Sequence, residues 1–230
     1  MKTIGLIGGM SWESTIPYYR QINETVKARL GGLHSAKVIL YSVDFQEIAQ
    51  LQQAGDWDAA GEVLANAARA LETAGAELLL ICANTMHRVA SAVEAAISIP
   101  LLHVVDVTAD TIKQAGHVRI GLIGTRFTME QPFYREHLQQ HGLEVLVPGT
   151  ADQDSIHRII FEELCLGVVR DESRLVYQAI MHQLVEQGAQ AIILGCTEIA
   201  MLISPADSAV PLFDTTSIHA RAAAELALSN

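Results

Sequence analysis

Apolar residues along the chain gather into short unbroken runs separated by stretches of helical spacing. The runs at 3–9, 37–43, 77–82 and 99–105 close on glycine, asparagine or aspartate, the pattern of strands buried on both faces. Between them, 18–30, 58–74, 89–96 and 106–115 carry apolar positions three and four apart and predict helices, the first, second and fourth stopping at Gly31, Gly75 and Gly116. Ser11 and Ser14 are the N-cap choices for the first helix, and Pro17 fits its early turns. The stretch after Asp44, with Gln46, Gln50 and Gln52, reads as a loop and a polar segment. From Val118 the pattern restarts, with strands at 119–125, 144–148 and 191–196 and helices at 153–166, 174–186 and 218–228. Strands alternating with helices predict an α/β fold with mainly parallel sheets flanked by helices.

The restart is an internal repeat. Ile4-Gly5-Leu6-Ile7-Gly8 returns as Ile120-Gly121-Leu122-Ile123-Gly124, and Tyr18-Tyr19-Arg20 is echoed by Phe133-Tyr134-Arg135. Residues 75–85 align with 188–198 without a gap, and Ile99-Pro100-Leu101 matches Val210-Pro211-Leu212. Four anchors in the same order predict two pseudo-symmetric α/β domains, 1–115 and 116–230, with the C-terminal helix able to cross to the first. Ligands in open α/β sheets bind beyond the carboxyl ends of the strands. The repeat therefore places the expected site in a cleft between the halves.

Composition narrows the function classes. Half of the 230 residues are hydrophobic, enough for a sizeable core, and the formal net charge is −11. That charge argues against nucleic acid, which needs clustered Lys and Arg. No apolar run approaches the ~20 residues of a membrane span, and the N-terminus enters a strand directly rather than as a signal peptide. Three cysteines without C-x-x-C spacing suggest neither a disulfide framework nor a zinc site, so a cytoplasmic protein is expected.

The chemistry centres on Gly195-Cys196-Thr197-Glu198, a thiol where a strand turns into a helix. Helix N-terminal N–H groups would lower its pKa and make it a general base, while Asn84, Thr85 and Thr197 would hold a carboxylate. Glu198 would tune Cys196 or hold an ammonium group. The rival reading of Cys196 is a buried structural thiol. Its partner in the repeat is Ala83. Cys82 faces away from residue 83 and reads as core, and Cys165 reads as helix packing that could border the cleft. His87 is a candidate to orient the 84–85 turn, Thr125 offers a hydroxyl after the repeated strand, and Asp106 and Asp214 cap helices. Gly5, Gly8 and Gly9 lack dinucleotide-loop spacing, no Walker lysine occurs, and Lys2, Lys27, Lys37 and Lys113 lie away from carboxyl-edge loops. His103, His117, His137 and His141 show no consistent metal-ligand spacing. Neither cofactor nor metal is expected.

With the motifs Ile4-Gly5-Leu6-Ile7-Gly8-Gly9-Met10-Ser11-Trp12-Glu13-Ser14-Thr15, Ala83-Asn84-Thr85-Met86-His87 and Gly195-Cys196-Thr197-Glu198, the chain resembles the aspartate/glutamate racemase family over nearly its whole length. The resemblance implies two Rossmann-like domains, a site between them, a homodimer, and α-proton transfer between two cysteines without pyridoxal phosphate. Met10 and Ser11 match the loop lining the substrate pocket. The family's Cys-Asn-Thr is Ala83-Asn84-Thr85 here. A subgroup with threonine at this place acts preferentially on L-aspartate and L-glutamate. The loop after the second strand often carries an arginine that grips the side-chain carboxylate. Here Gln52 takes that place, which permits glutamate or a neutral polar amino acid. The expected ligand is a small amino acid or dicarboxylate. Two alternatives stand beside racemisation. One is single-cysteine decarboxylation, as in the related arylmalonate decarboxylases; the other is a binding protein impaired in catalysis by Ala83.

Overall fold

The computed structural model describes residues 1–229. The chain divides into two compact units, Met1–Val104 with the stretch from His219 onward, and Val105–Ile218. The first unit runs β1 (Ile4–Gly8), α1 (Trp12–Leu30), β2 (Val38–Ser42), α2 (Phe45–Ala54), α3 (Trp57–Thr73), β3 (Leu78–Ile81), a 3-10 turn (Thr85–Val89) and α4 (Ala90–Glu94). Helix α5 (Val104–Gln114) opens the second unit, followed by β4 (Arg119–Gly124), α6 (Arg126–Glu130), α7 (Pro132–Gln140), β5 (Glu144–Leu146) and α8 (Thr150–Glu162). Then come α9 (Asp171–Glu186), β6 (Ala191–Gly195), α10 (Ile199–Leu202), β7 (Leu212–Asp214) and α11 (Thr215–Leu228).

Both sheets are parallel, ordered β2-β1-β3 and β5-β4-β6-β7. The repeat extends to their register. Gly5 lies opposite Leu79 in the first sheet and Gly121 opposite Ile192 in the second, the same pairing of equivalent residues. A side chain at Gly121 would meet Ile192 Cδ1 at 2.5 Å and Leu184 Cδ1 of α9 at 3.1 Å, so glycine there leaves room for both side-chain tips. Side chains alternate across the first sheet. Ile4, Leu6, Leu78, Leu80 and Cys82 pack against Tyr18, Ile22 and Val26 of α1 and Ala220, Ala223, Ala224 and Ala227 of α11. Ile7, Leu79, Ile81 and Ala83 face Leu64, Ala67, Ala68 and Leu71 of α3. Cys82 thus lies in the core, where burial drives its thiol pKa far up.

Several boundaries differ from the sequence reading. The strand expected at 99–105 is a single bridge, Leu79 to Leu101, and α5 begins at Val104. Its counterpart β7 extends the same contact to three residues, and in both units the preceding proline carbonyl accepts the bond, from Leu79 N–H and Ile192 N–H respectively. The polar segment after Asp44 is helix α2, capped by the Asp44 side chain and ended by left-handed Gly55. Helix α7, with buried Tyr134, is the counterpart of α1 with buried Tyr18. The first unit ends at Val104 rather than at 115, and the alanine face of α11 completes its core.

Candidate active site

Strand β6 ends at Gly195, and the chain turns at once through Cys196, Thr197 and Glu198 into the one-turn helix α10. The neighbouring strand end needs glycine at Gly124: a Cβ there would stand 2.7 Å from the Gly195 carbonyl oxygen, so the ends of β4 and β6 meet backbone to backbone. Cys196, Thr197 and Glu198 are all buried. The Cys196 thiol donates to Glu198 Oε2 at 2.9 Å, and the Thr197 hydroxyl donates to the same oxygen at 2.8 Å. Burial, then the charges of Glu198 and Cys165, push the Cys196 pKa well above that of a free thiol. This reverses the lowering expected from a helix N-terminus. A four-residue helix offers little dipole, and a carboxylate hydrogen-bonded to the thiol outweighs it. Thr125 caps α6, accepting from Thr128 N–H and sharing a hydroxyl contact with Thr128 at 3.2 Å. Cys165 packs against the apolar cluster that contains Cys196.

In the first unit, β3 ends at the equivalent turn, with Ala83, Asn84 and Thr85 buried. His87 orders this turn. Val104 N–H donates to its Nε2 at 3.3 Å, so Nδ1 carries the proton and donates to the Ala83 carbonyl at 2.7 Å. Gln52, buried on α2, donates to Met86 Sδ at 3.1 Å. Met10 shares the apolar cluster of Ala83 and Met86. Ser11 caps α1, and its carbonyl accepts from the Ser14 and Thr15 hydroxyls. The structure thus gathers Cys196, Thr197 and Glu198 in one turn, and Ala83, Asn84, Thr85, His87 and Gln52 around the other.

The Asp/Glu/Hydantoin racemase family model matches residues 7–223. The chain belongs to that family. A crystal structure of a putative Asp/Glu racemase from Yersinia pestis is 59% identical with TM-score 0.92, each chain covered in full. The crystal structure of an aspartate racemase homologue from Pyrococcus horikoshii OT3 is 37% identical with TM-score 0.86, again over 100% of both chains. The broad specificity amino-acid racemase RacX of Bacillus subtilis (strain 168) is 24% identical over 227 residues, 95% of each chain.

The second unit of this racemase-family chain also holds buried polar groups that sequence reasoning did not single out. Glu163 is buried at the end of α8, where the Ser173 hydroxyl donates to it at 2.6 Å and Arg158 approaches to 3.9 Å. Tyr177 of α9 is fully buried, and its pKa is raised by burial and by the charges of Cys196, Glu198, Cys165 and Glu163. On a helix with regular apolar spacing a tyrosine reads as core, so no sequence signal separates it from its neighbours. Among the described residues no helix is long and apolar enough to cross a membrane.

Proposed function

We propose that this chain is an amino-acid racemase acting on L-aspartate or L-glutamate through Cys196 without a pyridoxal cofactor. The observation that carries the reading is the 2.9 Å contact between the Cys196 thiol and the Glu198 carboxylate at the carboxyl end of β6. A thiol with a raised pKa is a poor base by itself. With Glu198 accepting its proton, the sulfur is freed to take the substrate α-proton, leaving a carbanion conjugated with the carboxylate. Returning the proton from the same sulfur restores the starting enantiomer with exchanged hydrogen. Inversion needs an acid on the opposite face, and in the family resemblance that role falls to the position of Ala83, whose methyl group cannot supply one. Exchange is therefore expected to outrun racemisation. The four lysines fit the absence of a Schiff base: Lys2 and Lys37 precede β1 and β2, and Lys27 and Lys113 lie in the last turns of α1 and α5.

The same alanine favours a second reading, a protein that binds an amino acid or dicarboxylate without turning it over. Proton NMR in D₂O with each enantiomer of aspartate and glutamate separates the two. The racemase reading expects α-deuterium uptake from the L enantiomers, loss of uptake in Cys196→Ser, and an increase in full racemisation of about 10²–10⁴ in Ala83→Cys. Ligand-induced thermal stabilisation without uptake, even in Ala83→Cys, would leave only the binding protein.

A homodimer belongs to this reading. It is supported by Trp12, Ile16 and Tyr19, exposed on one stripe of α1, and by Leu40 and Tyr41, exposed on edge strand β2. Light scattering should give twice the chain mass for the native protein and a lower mass for Ile16→Asp combined with Tyr41→Asp.

A further inference from the structure

Tyr177 lies midway along α9, fully buried in the apolar cluster that also holds Cys196, Leu164 and Ile199. Its phenol oxygen is out of solvent and has no hydrogen-bond partner among the described residues. A buried hydroxyl left unpaired is destabilising, and native proteins rarely keep one without a use. Every titratable group whose charge reaches it, Cys196, Glu198, Cys165 and Glu163, opposes ionisation, so the phenol keeps its proton. The neighbouring carboxylates are engaged in the resting site. Glu198 accepts from Cys196 and Thr197, and Glu163 accepts from Ser173. Cys196 is there a donor, so its sulfur offers the phenol no charged acceptor.

We propose that Tyr177 is the hydrogen-bond donor to the Cys196 thiolate, a bond that forms only when the thiol proton has left. This inference rests on the proposed proton transfer by Cys196. When the thiol gives its proton to Glu198, the sulfur becomes an anion in a pocket closed to water. A phenol in the same buried cluster, its hydrogen held in reserve, then turns to the sulfur with a charge-assisted bond. The donor's unpaired state at rest and its bond in the charged state make the stabilisation differential, which is the condition for speeding a proton transfer.

The test uses the full chain and Tyr177→Phe, which deletes the oxygen and keeps the ring. Two readouts are independent of turnover: thermal melting, and the rate at which iodoacetamide alkylates Cys196 between pH 6 and 10, with the modified residue located by mass spectrometry. Because the hydroxyl makes no bond at rest, the variant should melt at the same temperature or higher. Its alkylation midpoint should move up by about one pH unit, roughly a tenfold slower reaction at a fixed pH below the midpoint. The α-proton exchange of L-glutamate should fall by a similar factor through kcat, with KM unchanged. An unshifted alkylation profile overturns the inference, as does an exchange defect confined to KM, which would assign the hydroxyl to the substrate. A lower melting temperature overturns it too, because the hydroxyl would then be a structural anchor. If the alkylation shift appears although the wild-type chain exchanges no substrate proton, the thiolate assignment stands and the racemase reading falls.

Discussion

In the proposed racemase reading Cys196 and Glu198 work as one unit, joined by the 2.9 Å thiol–carboxylate hydrogen bond. Glu198 holds the thiol in its protonated form and is also the group positioned to receive that proton. Glu198→Gln should therefore have two opposed effects. Exchange of the substrate α-proton should fall by about 10²–10⁴, since the acceptor is gone. Alkylation of Cys196 near pH 9 should become faster, since the adjacent negative charge that raises its pKa is gone as well. A variant that slowed both reactions would refute the carboxylate's role as acceptor. The thiol and this carboxylate were legible in the sequence because Gly-Cys-Thr-Glu follows a short apolar run that reads as a buried strand. The sign of the pKa shift was not legible, because it depends on burial and on a side-chain contact within the turn. Tyr177 was invisible for a related reason: its oxygen is distinguished only by having no partner.

At the level of elements, the two sheets set Gly5 and Gly121 opposite equivalent residues, Leu79 and Ile192, and the second brings glycine to a backbone contact at its strand ends. Gly124 meets the Gly195 carbonyl across the β4–β6 edge, immediately before Thr125 and Cys196. Backbone cannot step aside as the end of a side chain can. Gly124→Ala should therefore cost about 1–3 kcal/mol of unfolding free energy and displace the thiol turn. Gly121→Ala, which meets only the tips of Ile192 and Leu184 at closest approach, should cost less. Urea unfolding of the two variants would measure the difference, and equal losses would contradict the backbone argument. The strands that carry these glycines were readable from the repeat. Helix α2 was not, because its buried face consists of Ile48 and Gln52 and the glutamine conceals the spacing. The run at 99–105 has strand composition, yet it joins the sheet only through the Leu79–Leu101 bridge.

For the molecule as a whole, the docking of α11 against β1 and β3 carries a pH dependence. His219, fully buried on that helix, accepts from the Tyr18 hydroxyl at Nδ1 and donates from Nε2 to the Leu102 carbonyl. Burial foremost lowers its pKa from 6.5 to about 4. The unfolded imidazole takes up its proton near pH 6.5 and the folded one only near 4. Its contribution is thus complete above 6.5 and is lost as pH falls through that interval, a total of about 3 kcal/mol. Melting temperatures between pH 7 and 4 should fall more steeply for the native chain than for His219→Gln. Parallel curves would place the acid sensitivity elsewhere.

The return of α11 to the first unit has a consequence for how the protein is made. Residues before Val105 lack the alanine face from Ala220 to Ala227 that covers β1 and β3, and that face follows the whole of the second unit along the chain. The first unit is therefore completed only after the second, whereas Val105–Ile218 is continuous and holds every residue of its own sheet as soon as it leaves the ribosome. A nascent chain halted before residue 219 carries the Cys196 turn within a complete domain. The Ala83 turn waits beside an uncovered sheet face, the state most exposed to chaperones and proteases.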